Sequence, residues 1–239
     1  MSNTINQNVT EAAEFDELAE KYDDELREAL GNFAGEDIEL FAEYKVEILA
    51  RHFAKNPPKS ILEFGCGTGR NMSYLKDYFP NADIHGCDIS EESIKRAEQF
   101  YAGPSYHVTR SAQDLIETFP GGIDCIFVTN VFHHIPPEFH QEYLTALHQI
   151  LSPNGRIFIF EHNPYNPVVR VIFSRTPIDQ DATMVNPQYL RRSLTDAGFH
   201  SAKLRYSLFF LWRNTFTTTI ESGLTWLPVG AQYYVHAAK

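Results

Sequence analysis

The chain has 239 residues, 43% of them hydrophobic, which suits one large α/β domain with a small accessory lid rather than two full domains. Acidic residues outnumber basic ones by 31 to 20, and the formal charge of −11 would repel a nucleic-acid backbone. The three cysteines are too far apart in sequence for a zinc site or a disulfide framework, which is typical of a protein in the reducing cytoplasm.

The N-terminal segment is strongly acidic, with twelve acids and two bases among residues 1–40. Its apolar residues recur at helical spacing, which predicts an amphipathic helix lying on the main body: Phe15, Leu18, Tyr22, Leu26 and Leu30. A solvated acidic face with no role in a site explains the charges equally well. We find no apolar stretch suited to a signal peptide or a membrane span, and we expect a cytoplasmic protein.

From residue 60 onward, apolar runs alternate with helical segments. Strands are predicted at 60–64, 83–87, 105–109, 123–129 and 156–161, with helices at 68–78, 90–101 and 137–151. A loop-like stretch with four prolines follows at 162–187, then a helix at 187–197 and two strands at 203–211 and 231–237 that would pair antiparallel at a sheet edge. The pattern predicts a doubly wound, mostly parallel, seven-stranded sheet.

The stretch ILEFGCGTGRN places a glycine turn directly after the first predicted strand. Ligands of open α/β sheets bind at this edge, and glycine allows positive φ and close approach of a ligand. The register is G-x-G-x-G, with Arg70 where a dinucleotide turn has its third glycine. Glu63, two residues before Gly65, suits an ammonium group better than a pyrophosphate. A cationic nucleoside bearing an amino acid therefore fits the turn better than NAD.

The turn resembles the first motif of class I S-adenosylmethionine-dependent methyltransferases, and further segments resemble that family in the same order. HGCDIS ends the next strand with Asp88, which in the family binds both ribose hydroxyls. SAQDL falls where the family has its adenine contacts. IDCIFVTNVFHHI falls at the fourth-strand motif, and LSPNGRIFIFEHNP falls at the segment that follows that motif. The resemblance implies a Rossmann-like domain over 57–239, with a substrate-side insertion around 163–187, and a helical cap or lid over 1–56.

The same resemblance implies S-adenosylmethionine as the cofactor and a set of contacts to it. In the family an aromatic residue of the cap folds over the sulfonium, a favourable cation–π arrangement, although Tyr22 could equally be an ordinary apolar contact. The implied contacts are Tyr22, Glu63, Gly65, Cys66, Gly67, Gly69, Asp88, Ile89, Ser111, Ala112, Gln113 and Asn130.

Three side chains after the fourth and fifth strands are candidate catalytic residues: His133, His162 and Glu161. Methyl transfer needs alignment of the reactants and, for a hydroxyl acceptor, a general base, but no metal. We expect His133 or His162 to reach the space beside the transferred methyl. Helix capping by His133 or His134, and a structural role for Glu161 and His162, are the competing interpretations.

The leading interpretation is a methyltransferase that acts on a small molecule, with oxygen as the favoured acceptor atom. The alternative is an S-adenosylmethionine-binding protein that transfers no methyl group, such as a cyclase or a regulatory module. Aromatic residues are frequent between 163 and 239 and could line an apolar substrate pocket or a homodimer face, or could be plain strand packing. We expect no nucleic-acid partner.

Overall fold

The computed structural model describes residues 37–176, 179, 182–210 and 215–239. The expected acidic helix and Tyr22 lie outside these residues. The first described element is helix α1 (Asp37–His52). Its apolar side chains belong to a buried cluster shared with strands of the sheet, with Val46 and Leu49 fully inaccessible to solvent. The division of the chain at residue 56 stays a prediction.

The first half of the described chain alternates strands and helices in the predicted order. It comprises β1 (Ser60–Phe64), α2 (Met72–Tyr78), β2 (Asp83–Asp88), α3 (Glu91–Phe100), β3 (Ser105–Val108), α4 (Ala112–Thr118) and β4 (Ile123–Thr129). A short 3₁₀ turn (Pro137–Phe139) then leads into α5 (His140–Ile150) and β5 (Leu151–His162). Helix α2 begins at Met72 rather than near Thr68, so the glycine turn is longer than expected.

The second half contains α6 (Pro167–Phe173), α7 (Pro187–Asp196), β6 (His200–Ser207), α8 (Thr215–Leu224) and β7 (Gln232–Ala238). The stretch predicted as loop-like contains α6, and the reason is local. Asn166 caps its first turn by accepting from the backbone N–H groups of Val168 and Val169, and Pro167 occupies the first helical position. Asn-Pro is thus a helix start here, as it is at Asn186 before α7.

One seven-stranded sheet runs in the order β3-β2-β1-β4-β5-β7-β6. The first five strands are parallel, and β7 runs antiparallel to both β5 and β6. The sheet is mostly parallel with an antiparallel pair at its edge, which confirms the predicted class and shows that β7 lies inside β6. Buried apolar clusters cover both faces. None of the described helices has the length and apolar character needed to cross a bilayer.

Candidate functional site

The glycine turn is anchored to the neighbouring strand by its own backbone. The N–H groups of Gly65 and Cys66 both donate to the carbonyl oxygen of Cys87, at 2.8 and 3.0 Å. Gly65, Gly67 and Gly69 all have positive φ, at 72°, 51° and 85°. Three left-handed residues in five explain why the sequence needs glycine at each position. The Cys66 side chain is buried beneath the turn.

The three glycines have different steric surroundings. A Cβ at Gly65 would collide with Val131 Cγ2, and a Cβ at Gly69 would lie 3.0 Å from Ala97 Cβ of helix α3. A Cβ at Gly67 would meet nothing within 4 Å. Gly65 and Gly69 therefore serve packing within the protein, whereas Gly67 faces open space that a ligand can approach.

Asp88 at the end of β2 stands at the rim of that space. Its Oδ2 accepts a hydrogen bond from the Gly67 N–H at 2.8 Å, and its Oδ1 accepts one from the Ser90 N–H at 2.9 Å. The carboxylate is partly exposed, and Ile89 beside it is half-buried. These bonds fix the orientation of a charged acceptor next to the open glycine.

Glu63 is buried just below the turn, with 1% of its surface exposed. Its Oε1 accepts from the Asn71 side-chain amide, while its Oε2 has no hydrogen-bond partner among the described residues. Burial raises the pKa of Glu63 to about 8, although Asn71 and Lys45 pull in the opposite direction. An unpartnered buried carboxylate oxygen is costly, so this atom has an unmet need for a donor.

Lys45 of helix α1 brings a cation to the same region, and the sequence analysis missed it. The residue is buried, which lowers the pKa of its ammonium group to about 8 despite the attraction of Glu63. An acid and a base placed together complement a zwitterion. The only sequence signal was a lysine amid the buried helical positions Tyr44, Val46 and Leu49.

The three candidates for adenine contact take separate positions around the start of α4. The Ser111 hydroxyl caps the helix by accepting from the Asp114 N–H at 3.0 Å. Ala112 is buried in the core, and the exposed Gln113 donates to Glu117 at 2.8 Å. The Ser111 and Gln113 side chains therefore make their hydrogen bonds within the helix itself.

Asn130 follows β4 with a positive φ of 56°, a conformation that asparagine tolerates better than most residues. Its N–H donates to the Phe160 carbonyl at 2.8 Å, which ties the turn to β5. The next residue, Val131, fills the space against Gly65. Asn130 thus redirects the chain between the glycine turn and the histidines that follow.

Beyond this turn lies a histidine–acid cluster formed by His133, His134, Glu161, His162 and Asp179. Glu161 is fully buried, and its Oε1 accepts from the N–H groups of Val131 and Phe132 at 3.2 and 2.8 Å. Its Oε2 lies 2.6 Å from His133 Nδ1. The other nitrogen of His133, Nε2, lies 3.4 Å from Asp179 Oδ1.

The ionisation of the cluster follows from these contacts. Burial opposes a charge on His133, but Glu161 and Asp179 outweigh it and raise the pKa of His133 to about 9. Burial would also raise the Glu161 pKa, yet the adjacent His133 lowers it. Burial and the charge of His133 lower the pKa of His134 to about 3 and that of His162 to about 4. One imidazolium therefore lies between two carboxylates, with two neutral histidines beside it.

The predicted catalytic candidates are brought together at the carboxyl ends of β4 and β5. His133 is buried between carboxylates, whereas His162 is partly exposed, with its ring centroid 5.4 Å from that of His133. His140 also fastens the turn after β4, since its Nε2 lies 2.9 and 2.8 Å from the carbonyl oxygens of Phe132 and Ile135. Asp179 was not predicted, because it lies in a loop that carries no motif.

Residues 62–157 match the family model described as a methyltransferase domain. The match assigns a methyltransferase domain to these residues, and the fold described above is the one found in S-adenosylmethionine-dependent methyltransferases of known structure. The match begins next to Glu63 and ends within β5, so it covers the glycine turn, Asp88 and the turn that carries His133.

Sequence relatives are similar over part of their length. A demethylmenaquinone methyltransferase of Thermus thermophilus is 28% identical over 125 residues, which cover 49% of this chain and 56% of that protein. An uncharacterized protein of Rickettsia prowazekii is 29% identical over 46% of this chain and 47% of its own length. The chain thus spans about half of these two relatives.

Among solved structures, the magnesium protoporphyrin IX methyltransferase of Synechocystis has a TM-score of 0.63 at 18% identity, covering 96% of this chain and 99% of that chain. A plantazolicin methyltransferase has a TM-score of 0.66 at 17% identity, covering 98% and 99%. At such identities the likeness establishes the fold.

Proposed function

We propose that the protein binds S-adenosylmethionine across the glycine turn and transfers its methyl group to an oxygen atom of a small molecule. The observation that carries the proposal is the juxtaposition of Gly67, open to a ligand, with the Asp88 carboxylate and the unpartnered Oε2 of Glu63. The bound cofactor supplies a methyl group already activated by a positive sulfur.

The residues around the turn match the two polar ends of that cofactor. Asp88 would accept hydrogen bonds from the ribose hydroxyls. The α-ammonium group would provide the donor that Glu63 Oε2 lacks, and Lys45 would pair with the α-carboxylate. Because both side chains are buried, these charge-assisted contacts would be stronger than the same contacts in water.

The acceptor would be bound beside the histidine–acid cluster, at the carboxyl edge shared by β4 and β5. Both nitrogens of His133 face carboxylates, and both oxygens of Glu161 already accept hydrogen bonds. His162 is partly exposed and is neutral, because burial and the charge of His133 lower its pKa to about 4. We therefore assign the removal of the acceptor's hydroxyl proton to His162, which supports oxygen as the acceptor atom.

A small acceptor is supported by the net charge of −11, which disfavours a polyanionic substrate. The decisive experiment incubates the full chain with methyl-labelled S-adenosylmethionine and a cell extract, and then separates the products by size. Label in a small product that disappears with Asp88→Asn supports the proposal. Tight cofactor binding without label transfer would favour the binding-only alternative, and label in RNA or protein would refute a small acceptor.

A further inference from the structure

Three side chains of the histidine–acid cluster converge on one point from two separate parts of the chain. His133, His134 and Asp179 each offer a ligand atom, and these atoms all lie within 4.8 Å of one another. His133 Nε2 and His134 Nε2 lie 3.4 and 3.7 Å from the same oxygen, Asp179 Oδ1. Metal–ligand bonds of about 2.0–2.2 Å place neighbouring ligands roughly 3–3.5 Å apart, so both distances to Asp179 Oδ1 are close to those of a metal site.

The outer contact of His133 is the one that metal-bound histidines usually have. Its Nδ1 lies 2.6 Å from Glu161 Oε2, and Glu161 is held in turn by the N–H groups of Val131 and Phe132. A carboxylate in this position fixes the tautomer and directs Nε2 away from itself, here toward Asp179. The orientation of His133 is therefore set before any ion arrives.

The third ligand is held close to the first by backbone contacts. The Asp179 N–H donates to the Thr176 carbonyl, and the Ala182 N–H donates to the Asp179 carbonyl, both at 3.1 Å. The Thr183 N–H then donates to the carbonyl of His133 itself at 3.0 Å. Asp179 is also largely buried, unlike an acid on a solvated loop.

The balance of charge also favours a divalent ion. Glu161 and Asp179 place two carboxyl groups in a buried space, at 2.6 and 3.4 Å from the two ring nitrogens of His133. A divalent cation would offset the charge of both carboxylates and would bind through neutral imidazole nitrogens. Buried charge without full compensation is costly, so such an ion would stabilise the cluster.

We propose that His133, His134 and Asp179 form a binding site for a divalent transition-metal ion such as Zn²⁺, with Glu161 as the positioning residue for His133. Two imidazoles and one carboxylate favour Zn²⁺, Co²⁺, Mn²⁺ or Fe²⁺ over Mg²⁺ and Ca²⁺, which prefer all-oxygen ligands. Three protein ligands leave a coordination position for water or for an oxygen ligand. The sequence predicted no metal, because the cysteines have no suitable spacing and methyl transfer requires none. Asp179 is 46 residues from His133 and lies in no motif.

The test uses the full-length chain after removal of metals by a chelator. Co²⁺ is titrated into the protein, and binding is followed by the visible absorption of the ion and by metal content after gel filtration. We expect one ion per chain, displaced by Zn²⁺. His134→Gln and Asp179→Asn should each weaken binding at least 100-fold, and Glu161→Gln should weaken it about 10- to 100-fold.

The matched control is His200→Ala, which removes an exposed histidine of β6. It should leave the affinity within twofold of the unmodified protein, and circular dichroism should show that every variant is folded. Failure of the unmodified protein to bind Co²⁺ or Zn²⁺ would overturn the proposal and leave His133 as an imidazolium paired with two acids. Binding that survives both His134→Gln and Asp179→Asn would overturn it as well. None of these measurements depends on methyl transfer.

Discussion

Glu161 Oε2 and His133 Nδ1 lie 2.6 Å apart in a buried pair, and the same carboxylate accepts two backbone N–H groups from the turn after β4. The strand β5 thereby holds the turn of β4 through one side chain. Through this contact β5 is linked to the turn after β4, and β4 pairs in turn with β1, the strand that precedes the glycine turn.

Replacing Glu161 by alanine should therefore destabilise the fold. The change leaves two buried N–H groups without an acceptor and removes the charge that balances His133, and breaking a buried pair in this way costs about 3–5 kcal/mol. Urea unfolding would measure the loss. Glu117→Gln, at an exposed position, is the control and should change little. A loss below about 1 kcal/mol for Glu161→Ala would contradict the argument.

Alanine substitution of two glycines in the turn should affect stability and cofactor binding in opposite ways. Gly65→Ala should destabilise the protein severely, because the new Cβ collides with Val131. Gly67→Ala should cost only about 1–2 kcal/mol for its left-handed backbone, since nothing lies within 4 Å, yet it should abolish cofactor binding. Thermal unfolding and calorimetry with S-adenosylhomocysteine separate the two effects. A Gly67→Ala protein that binds normally would show that the ligand lies elsewhere.

Asp88→Asn should weaken the binding of S-adenosylhomocysteine without unfolding the protein. Hydrogen bonds to a charged group contribute about 1.5–3 kcal/mol each, so the loss should be roughly 10- to 150-fold. Asp83→Asn, at the exposed start of the same strand, is the matched control. Equal affinity for the two variants would remove Asp88 from the site.

Cofactor affinity should depend on pH through Glu63 and Lys45. The pKa of Glu63 is raised to about 8, mainly by burial, so below pH 8 the carboxyl group is mostly protonated and a cationic ligand must displace that proton. Affinity should rise up to tenfold per unit from pH 6 to 8. Burial also lowers the pKa of Lys45 to about 8. Cofactor affinity should therefore fall again at higher pH, because Lys45, the partner of the ligand carboxylate, loses its charge.

Calorimetry in buffers of different ionisation enthalpy would detect this proton release at pH 7. Glu63→Gln should abolish both the release and the rise in affinity between pH 6 and 8. Persistence of either effect in that variant would assign it to another group.

His162→Gln should slow methyl transfer to an oxygen acceptor while leaving cofactor affinity within about threefold. Loss of a general base typically reduces kcat by 10²- to 10⁴-fold. His148→Gln, a change in a half-exposed histidine that packs on Phe199, is the control and should retain activity. Full activity of His162→Gln would exclude it as the base.

The sequence predicted the sheet and the glycine turn because both depend on local patterns. A buried apolar run such as that of β1 specifies a strand, and three glycines specify left-handed backbone without reference to the rest of the chain. Glu63, Gly67 and Asp88 all lie within such patterns. The helix after Asn166 was missed for a local reason too, because Asn-Pro is typical of both loops and helix starts.

Lys45 and Asp179 could not be predicted in the same way. Each reaches its site through tertiary packing: Lys45 through the docking of α1 and Asp179 through contacts of its loop with Thr176 and, by way of Thr183, with His133. Neither residue lies in a motif or at a distinctive spacing. Lys45 comes near Glu63, and Asp179 comes beside the two histidines, only after the fold has formed.

The position of β7 between β5 and β6 divides the sheet into unequal parts. Five parallel strands from one continuous stretch of chain carry the glycine turn, while β6 pairs only with β7 among the described strands of the sheet. Amide hydrogens of β6 should therefore exchange with solvent sooner than those of β1 and β4, which are flanked on both sides. Substitutions that weaken the β5–β7 ladder should therefore loosen β6 and β7 before the strands that carry the glycine turn and Asp88.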